Sequence, residues 1–239
     1  MFLNYNIQIV SMKLFVTGTQ GYLGKPLTEK LRKSYSIVEY DIVDGKNILN
    51  YEQLKEEMNG SEIVIHLAAI PKPDESKTFD DYFQINCIGT LNVVKAAIEN
   101  KIRRLIYVSS TAYYACEREI PIKFPLKEDQ QTAPMYLKAD DFKCRDSDVA
   151  YSESKVIAEN ILAFYGLLKK IQVIILRFPR IGDKEGPYGT MVSMNNAIQG
   201  IEKSINLNKI LWYEAFNIAN KMDNVDISKA QRILGYSPE

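Results

Sequence analysis

Short apolar, β-branched runs alternate with segments of helical period through most of this chain, and that alternation restricts the fold more than any other feature. Residues 13–17, 36–40, 63–67, 105–109 and 172–177 read as strands. Between and beside them, residues 23–33, 51–58, 79–100 and 151–168 carry apolar side chains at helical spacing, with Gly60 and Asn100 placed as stops. Strands joined by crossover helices pair in parallel and are covered on both faces, so the expected class is α/β with a doubly wound sheet. After residue 177 an irregular stretch leads to short helices near 195–203 and 227–234. Residues 112–150 hold Pro121, Pro125 and Pro134 and no sustained period, and read as a long loop on the rim of a site.

Composition narrows the partners. Thirty basic and thirty acidic residues in 239 leave no net charge, so neither nucleic acid nor an anionic membrane surface is expected, and a small-molecule substrate is. No apolar run approaches the roughly 20 residues that span a bilayer. Cys87, Cys116 and Cys144 are odd in number and far apart, which speaks against a disulfide framework and for a cytoplasmic setting. With His66 the single histidine, no metal site is expected. Residues 12–18, MKLFVTG, look like the start of a first strand running into a glycine turn, so residues 1–11 read as an N-terminal extension.

The strongest local signal is Thr17-Gly18-Thr19-Gln20-Gly21-Tyr22-Leu23-Gly24, which follows a strand and opens a helix. Gly18 permits the tight turn, Gly21 lets backbone amides approach a pyrophosphate at the positive helix end, and Gly24 allows close helix–strand packing. Asp41, 23 positions after Gly18 at the end of the second strand, suits the ribose hydroxyls of adenosine. A carboxylate there repels a 2′-phosphate and no arginine follows it, so NAD is expected over NADP.

A Tyr-x-x-x-Lys pair on a helix puts an ammonium beside a phenol and lets the tyrosine act as acid/base near neutral pH. With 15 tyrosines the pattern is cheap, and it occurs at Tyr51/Lys55, Tyr151/Lys155 and Tyr165/Lys169. Only Tyr151/Lys155 follows the strand ending in Ser109-Ser110-Thr111, whose hydroxyls reach the top of the sheet beside the cofactor.

The set TGTQGYLG, Asp41, the strand end His66-Leu67-Ala68-Ala69, Asn86 with Gly89-Thr90, Ser109-Ser110-Thr111, YSESK at 151–155 and Leu176-Arg177 resembles the extended short-chain dehydrogenase/reductases, the NAD-dependent epimerase/dehydratase family, over residues 12–239. The resemblance implies a Rossmann-type NAD-binding domain over 12–178 and a small substrate-binding lobe over 179–239. It implies Tyr151 as acid/base, Lys155 on the nicotinamide ribose, and Ser110, with Thr111 as second choice, on the substrate oxygen. By the same resemblance Gly18, Gln20, Gly21, Tyr22, Leu23, Gly24, Asp41, Asn47, Ile48, Leu67, Ala68, Ala69, Asn86, Tyr151, Lys155 and Phe178 contact the cofactor. Asn47 stands where relatives carry an acidic adenine reader. Arg180 lies where many carry an asparagine facing a sugar-nucleotide phosphate; it either binds a substrate phosphate or carboxylate or pairs with Asp183.

Thr111-Ala112 after the hydroxyl, instead of an acidic pair, argues against a dehydratase. Three readings remain: a sugar or nucleotide-sugar epimerase, a dehydrogenase of a smaller sugar or uronic acid, and an NAD-binding sensor without catalysis. The short segment between Gly186 and Asn195 and a lobe of about sixty residues favour the smaller substrate. His66 reads as a packed, hydrogen-bonded residue. The equivalent helices pair in relatives, so a homodimer is expected through helices 79–100 and 151–168, with Phe83, Val93, Val94, Ile98, Ile157, Ile161 and Phe164 as apolar surface.

Overall fold

The computed structural model describes residues 12–114, 122–132 and 144–239. The extension at 1–11, Cys116, and residues 115–121 and 133–143 of the long loop lie outside them. Six strands, β1 Lys13–Thr17, β2 Ser36–Tyr40, β3 Ile63–His66, β4 Arg104–Ser110, β5 Gln172–Phe178 and β6 Tyr213–Asn217, form one parallel sheet. Their order is β2-β1-β3-β4-β5-β6. The chain reverses direction across the sheet at β1 and β3, and a crevice opens beyond the C-terminal ends of strands at such a point.

Five strands are expected from sequence, and β6 is a sixth. Tyr-Glu-Ala-Phe-Asn lacks the continuous apolar run of the buried strands because it pairs on one side only, with β5, from Val173–Tyr213 to Arg177–Asn217.

Among the described residues seven α-helices cover the faces: α1 Gly24–Leu31, α2 Tyr51–Glu57, α3 Phe79–Tyr82, α4 Gly89–Glu99, α5 Asp146–Leu167, α6 Met194–Ile205 and α7 Ser228–Leu234. The strands alternate between them. Leu14, Val16, Ile63, Ile65, Ile174 and Leu176 face α1, α6 and α7, whereas Phe15, Val64, Leu105, Val173 and Ile175 face α2, α4 and α5. Between α3 and α4 the helix continues through Phe83–Ile88 with π-helical hydrogen bonding.

α5 starts at Asp146, inside the stretch read as loop. Asp146 and Asp148 occupy its positive end, and Arg145 holds Asp148 through two 2.9 Å bonds. Those charges interrupt an apolar period but suit a helix start. Val93 and Val94, expected as surface, are buried in this chain's own core, while Phe164 is 59% exposed.

Candidate active site

β1 ends in a backbone turn that only glycine tolerates. Gly18 has φ +75°, and a Cβ there would lie 2.7 Å from the Ala68 amide nitrogen. A Cβ at Gly24 would collide with the Gly18 carbonyl oxygen. The first turn of α1 thus lies tight against the strand end, with Leu67 and Ala68 crossing directly behind the glycine. α1 has no side-chain cap, and the Tyr22 and Leu23 amides find no protein acceptor among the described residues. The Thr19 hydroxyl, also buried, has no partner among the described residues. An uncapped helix end, spare amides and an orphaned hydroxyl fit a pyrophosphate.

Asp41 is held at the end of β2 by the Gln20 amide on one oxygen (2.8 Å) and the Val43 amide on the other (3.0 Å). The carboxylate is thereby fixed beside the glycine turn. Asn47 Oδ1 accepts from the Leu49 amide, and Ile48 is buried against Gly89 at the start of α4. Tyr22 stands 71% exposed above the turn, next to Gly182.

Beneath the β3 end, His66 is locked between two threonines. The Thr90 hydroxyl donates to the Asn86 carbonyl (2.6 Å), so it accepts from His66 Nε2 (3.0 Å), and Nδ1 accepts from the Thr17 hydroxyl (2.7 Å). Thr17 Oγ1 in turn accepts from the Leu67 and Ala68 amides, each at 3.2 Å, which shapes the cofactor floor. Burial, aided by the Lys155 charge, pushes His66 down to about 3. Its pKa falls below the unfolded value near 6.5, so the full contribution exists above pH 6.5 and is lost as the pH drops toward 3. The loss is about 1.4 kcal/mol per pH unit. Because His66 is the sole histidine, urea melts between pH 7 and 4.5 should show a slope that His66→Asn flattens by that amount. Parallel slopes would show that the folded imidazole takes up a proton.

Asn86, within the π-helical segment, accepts from the Ile70 amide (2.8 Å) and donates to Ser154 Oγ (2.8 Å), while Ser154 donates to the Tyr151 carbonyl (2.7 Å). The loop after β3 and the helix bearing Tyr151 are thus clipped together. Tyr151 is 4% exposed, packed with Tyr82, Ala112 and Ala150. One turn on, Lys155 Nζ donates to Tyr107 Oη (3.4 Å) and the Val108 carbonyl (3.3 Å) and lies 5.9 Å from the Tyr151 ring centre. Burial pushes Lys155 down to about 8, against the opposing pull of Glu159. Ser110 Oγ accepts from the Ala112 amide (3.1 Å), which leaves its hydroxyl hydrogen to donate. Thr111 begins the single turn that follows.

The other two Tyr-x-x-x-Lys pairs lie elsewhere: Tyr51 and Lys55 both bond Glu99, and Lys169 is exposed past the end of α5. Phe178 has its side chain in the core. Arg180 is exposed, lines a cleft with Glu185, Gly186, Pro187 and Tyr188, and forms no ion pair with Asp183 among the described residues. Sequence reasoning missed Glu159. A charge in the inward row of α5 formed by Tyr151, Lys155, Ala158 and Leu162 was the available signal.

Residues 14–211 match the family model described as the NAD dependent epimerase/dehydratase family. The L-arabinose 1-dehydrogenase (NAD(P)(+)) of Haloferax volcanii is 28% identical over 177 residues, 69% of this chain and 65% of that enzyme. The UDP-glucose 4-epimerase of Rhizobium meliloti is 26% identical over 182 residues, 69% of this chain and 50% of that enzyme. The match therefore spans less than two thirds of either relative. The fold is shared with the UDP-glucuronic acid 4-epimerase of Bacillus cereus solved in complex with NAD, at TM-score 0.77 and 21% identity, covering 95% of this chain and 92% of that one. With the glycine turn, the Asp41 carboxylate and the Tyr151–Lys155 pair in place on this fold, the chain belongs to the NAD-dependent epimerase/dehydratase family.

Proposed function

We propose that this chain binds NAD across the C-terminal ends of β1 and β3 and interconverts a hydroxyl and a carbonyl on a sugar, as a sugar or nucleotide-sugar epimerase. The observation that carries the reading is the buried Tyr151–Lys155 pair on α5, with Lys155 bonded to the Val108 carbonyl of β4, the strand that ends in Ser110. Asp41 holds the adenosine ribose, the amides after Gly18 hold the pyrophosphate, and Lys155 holds the nicotinamide ribose. When bound, the nicotinamide supplies the hydride acceptor and donor. Tyr151 takes the proton from the substrate hydroxyl as phenolate, the Lys155 ammonium stabilises that phenolate, and Ser110 donates to the oxygen as it becomes a carbonyl.

A second reading, a dehydrogenase of a small sugar acid, is favoured by the short connection from β5 to α6 and by the open Arg180 guanidinium, which suits a carboxylate. A panel of sugars, sugar acids and nucleotide sugars read by NADH absorbance and product chromatography separates them. Epimer without net NADH supports the first reading, net NADH supports the second, and neither product rejects both. The working form is a homodimer through α4 and α5, where Phe164 is exposed; light scattering at micromolar concentration that gives a mass of 27.3 kDa rejects it.

A further inference from the structure

Glu159 lies on α5 one turn beyond Lys155 and is fully buried. Its carboxylate accepts from Ser109 Oγ (2.6 Å), from Arg177 Nε (3.1 Å) and from Arg177 Nη2 (2.7 Å). Arg177, at the end of β5, uses Nη1 for Tyr114 Oη (2.7 Å) and the Glu128 carbonyl (3.2 Å), and stacks 3.4 Å from the Tyr113 ring centre. Tyr114 donates onward to Asn217 Oδ1 at the end of β6 (2.9 Å). The carboxylate therefore joins the helix of Tyr151 and Lys155 to the residue that precedes Ser110, and through Arg177 to β5 and β6. A buried ion pair gains little stability over apolar residues of the same shape, so folding alone is a weak reason for it. Its place beneath the reactive groups is a stronger one.

We propose that Glu159 is a positioning residue for the Tyr151–Lys155 pair: it presents a counter-charge to Lys155 inside the protein and fixes, through Ser109, the strand end that carries Ser110. Lys155 faces His66 from β3, Tyr107 and the Val108 carbonyl from β4, Cys87 from the π-helical segment, and Tyr151 and Glu159 from its own helix. Burial keeps His66 uncharged at neutral pH, raises Cys87 to about 12 and raises Tyr107, so these three carry no charge there. Glu159 is the carboxylate among these groups, and it works against the burial that depresses Lys155. The buried cluster holds Lys155 and Arg177 against Glu159, and the surplus positive charge is what a phenolate at Tyr151 needs.

The proposal rests on Lys155 acting as an ammonium, and its test reads that lysine directly, without cofactor or substrate. In protein labelled with carbon-13 at lysine Cε, the Lys155 signal is identified by its loss in Lys155→Met and followed through a pH titration. The wild-type midpoint is expected near 8. Glu159→Gln should lower it by about one pH unit, and Glu159→Asp, which keeps the charge, should hold it near the wild-type value. If Glu159→Gln fails to fold, Glu159→Gln/Arg177→Met, which removes the Arg177 charge together with its carboxylate partner, takes its place with a lowered midpoint again expected. A midpoint no lower than wild type in the folded variant overturns the proposal. In turnover, the alkaline limb of kcat/KM should move down by the same interval, whereas a merely structural role lowers the whole profile without moving the limb. A sugar panel without turnover rejects the proposed function and leaves the lysine titration standing, so the two fail separately.

Discussion

Tyr151→Phe lowers turnover by about 10²- to 10⁴-fold and leaves NAD binding within a few-fold of wild type. The substitution removes one oxygen and keeps the ring, which packs on Tyr82 with ring centres 6.2 Å apart and against Ala112 and Ala150. The fold around the ring is therefore retained. The other proposed cofactor contacts are held without the Tyr151 hydroxyl: Asp41 by backbone amides, the glycine turn by its own geometry, and Lys155 by Tyr107 and Val108. What is lost is the group that takes the proton; Tyr107, the other phenol beside Lys155, is buried in the core. Ser110 cannot substitute, because a hydroxyl without an adjacent base is far too weak an acid. Calorimetric titration with NAD beside a turnover assay separates the two effects. Turnover within tenfold of wild type would move the acid/base role away from Tyr151.

Arg177→Met destabilises the fold by about 3–5 kcal/mol, because it leaves the Glu159 carboxylate buried with Ser109 as its one remaining donor among the described residues. For a chain of this length that corresponds to a fall in Tm of about 10 °C. Methionine keeps most of the stem's volume, so the loss reports the charge rather than a cavity. Burial disfavours the Arg177 charge, but Glu159 more than offsets it and raises its pKa, which is why the pair persists in a dry interior. Adding Glu159→Gln to Arg177→Met should recover much of the loss, and the thermodynamic cycle over the four proteins measures the coupling. A cost below about 1 kcal/mol for Arg177→Met would mean that water reaches the carboxylate.

How much of this was legible in the sequence depended on whether the cause was local. The glycine turn, Asp41 and the buried strands follow from spacing and periodicity within single segments. The preceding strand sets Tyr151 apart from Tyr51 and Tyr165 in the sequence, and in the structure Tyr51 bonds Glu99 on α4 and Tyr165 sits beside the exposed Phe164. β6 was illegible because an edge strand needs neither a long apolar run nor burial on both sides. The start of α5 was hidden by Asp146 and Asp148, which break an apolar period and yet favour a helix end. The inward placement of Glu159 was the least accessible, since its partners Ser109 and Arg177 lie on two different strands, 50 and 18 positions away.

The π-helical stretch Phe83–Ile88 makes the length of this helix a functional quantity. A π-helical turn holds about one residue more than an α-helical one, so deleting one residue there would restore α-helical winding and keep the two flanks nearly in phase, while turning the residues inside the stretch to new directions. Asn86 could then no longer face both the Ile70 backbone and Ser154 while Thr90 stays under His66. Insertions and deletions here are constrained in phase as well as in number, which makes this segment a sensitive ruler for aligning the chain with its relatives.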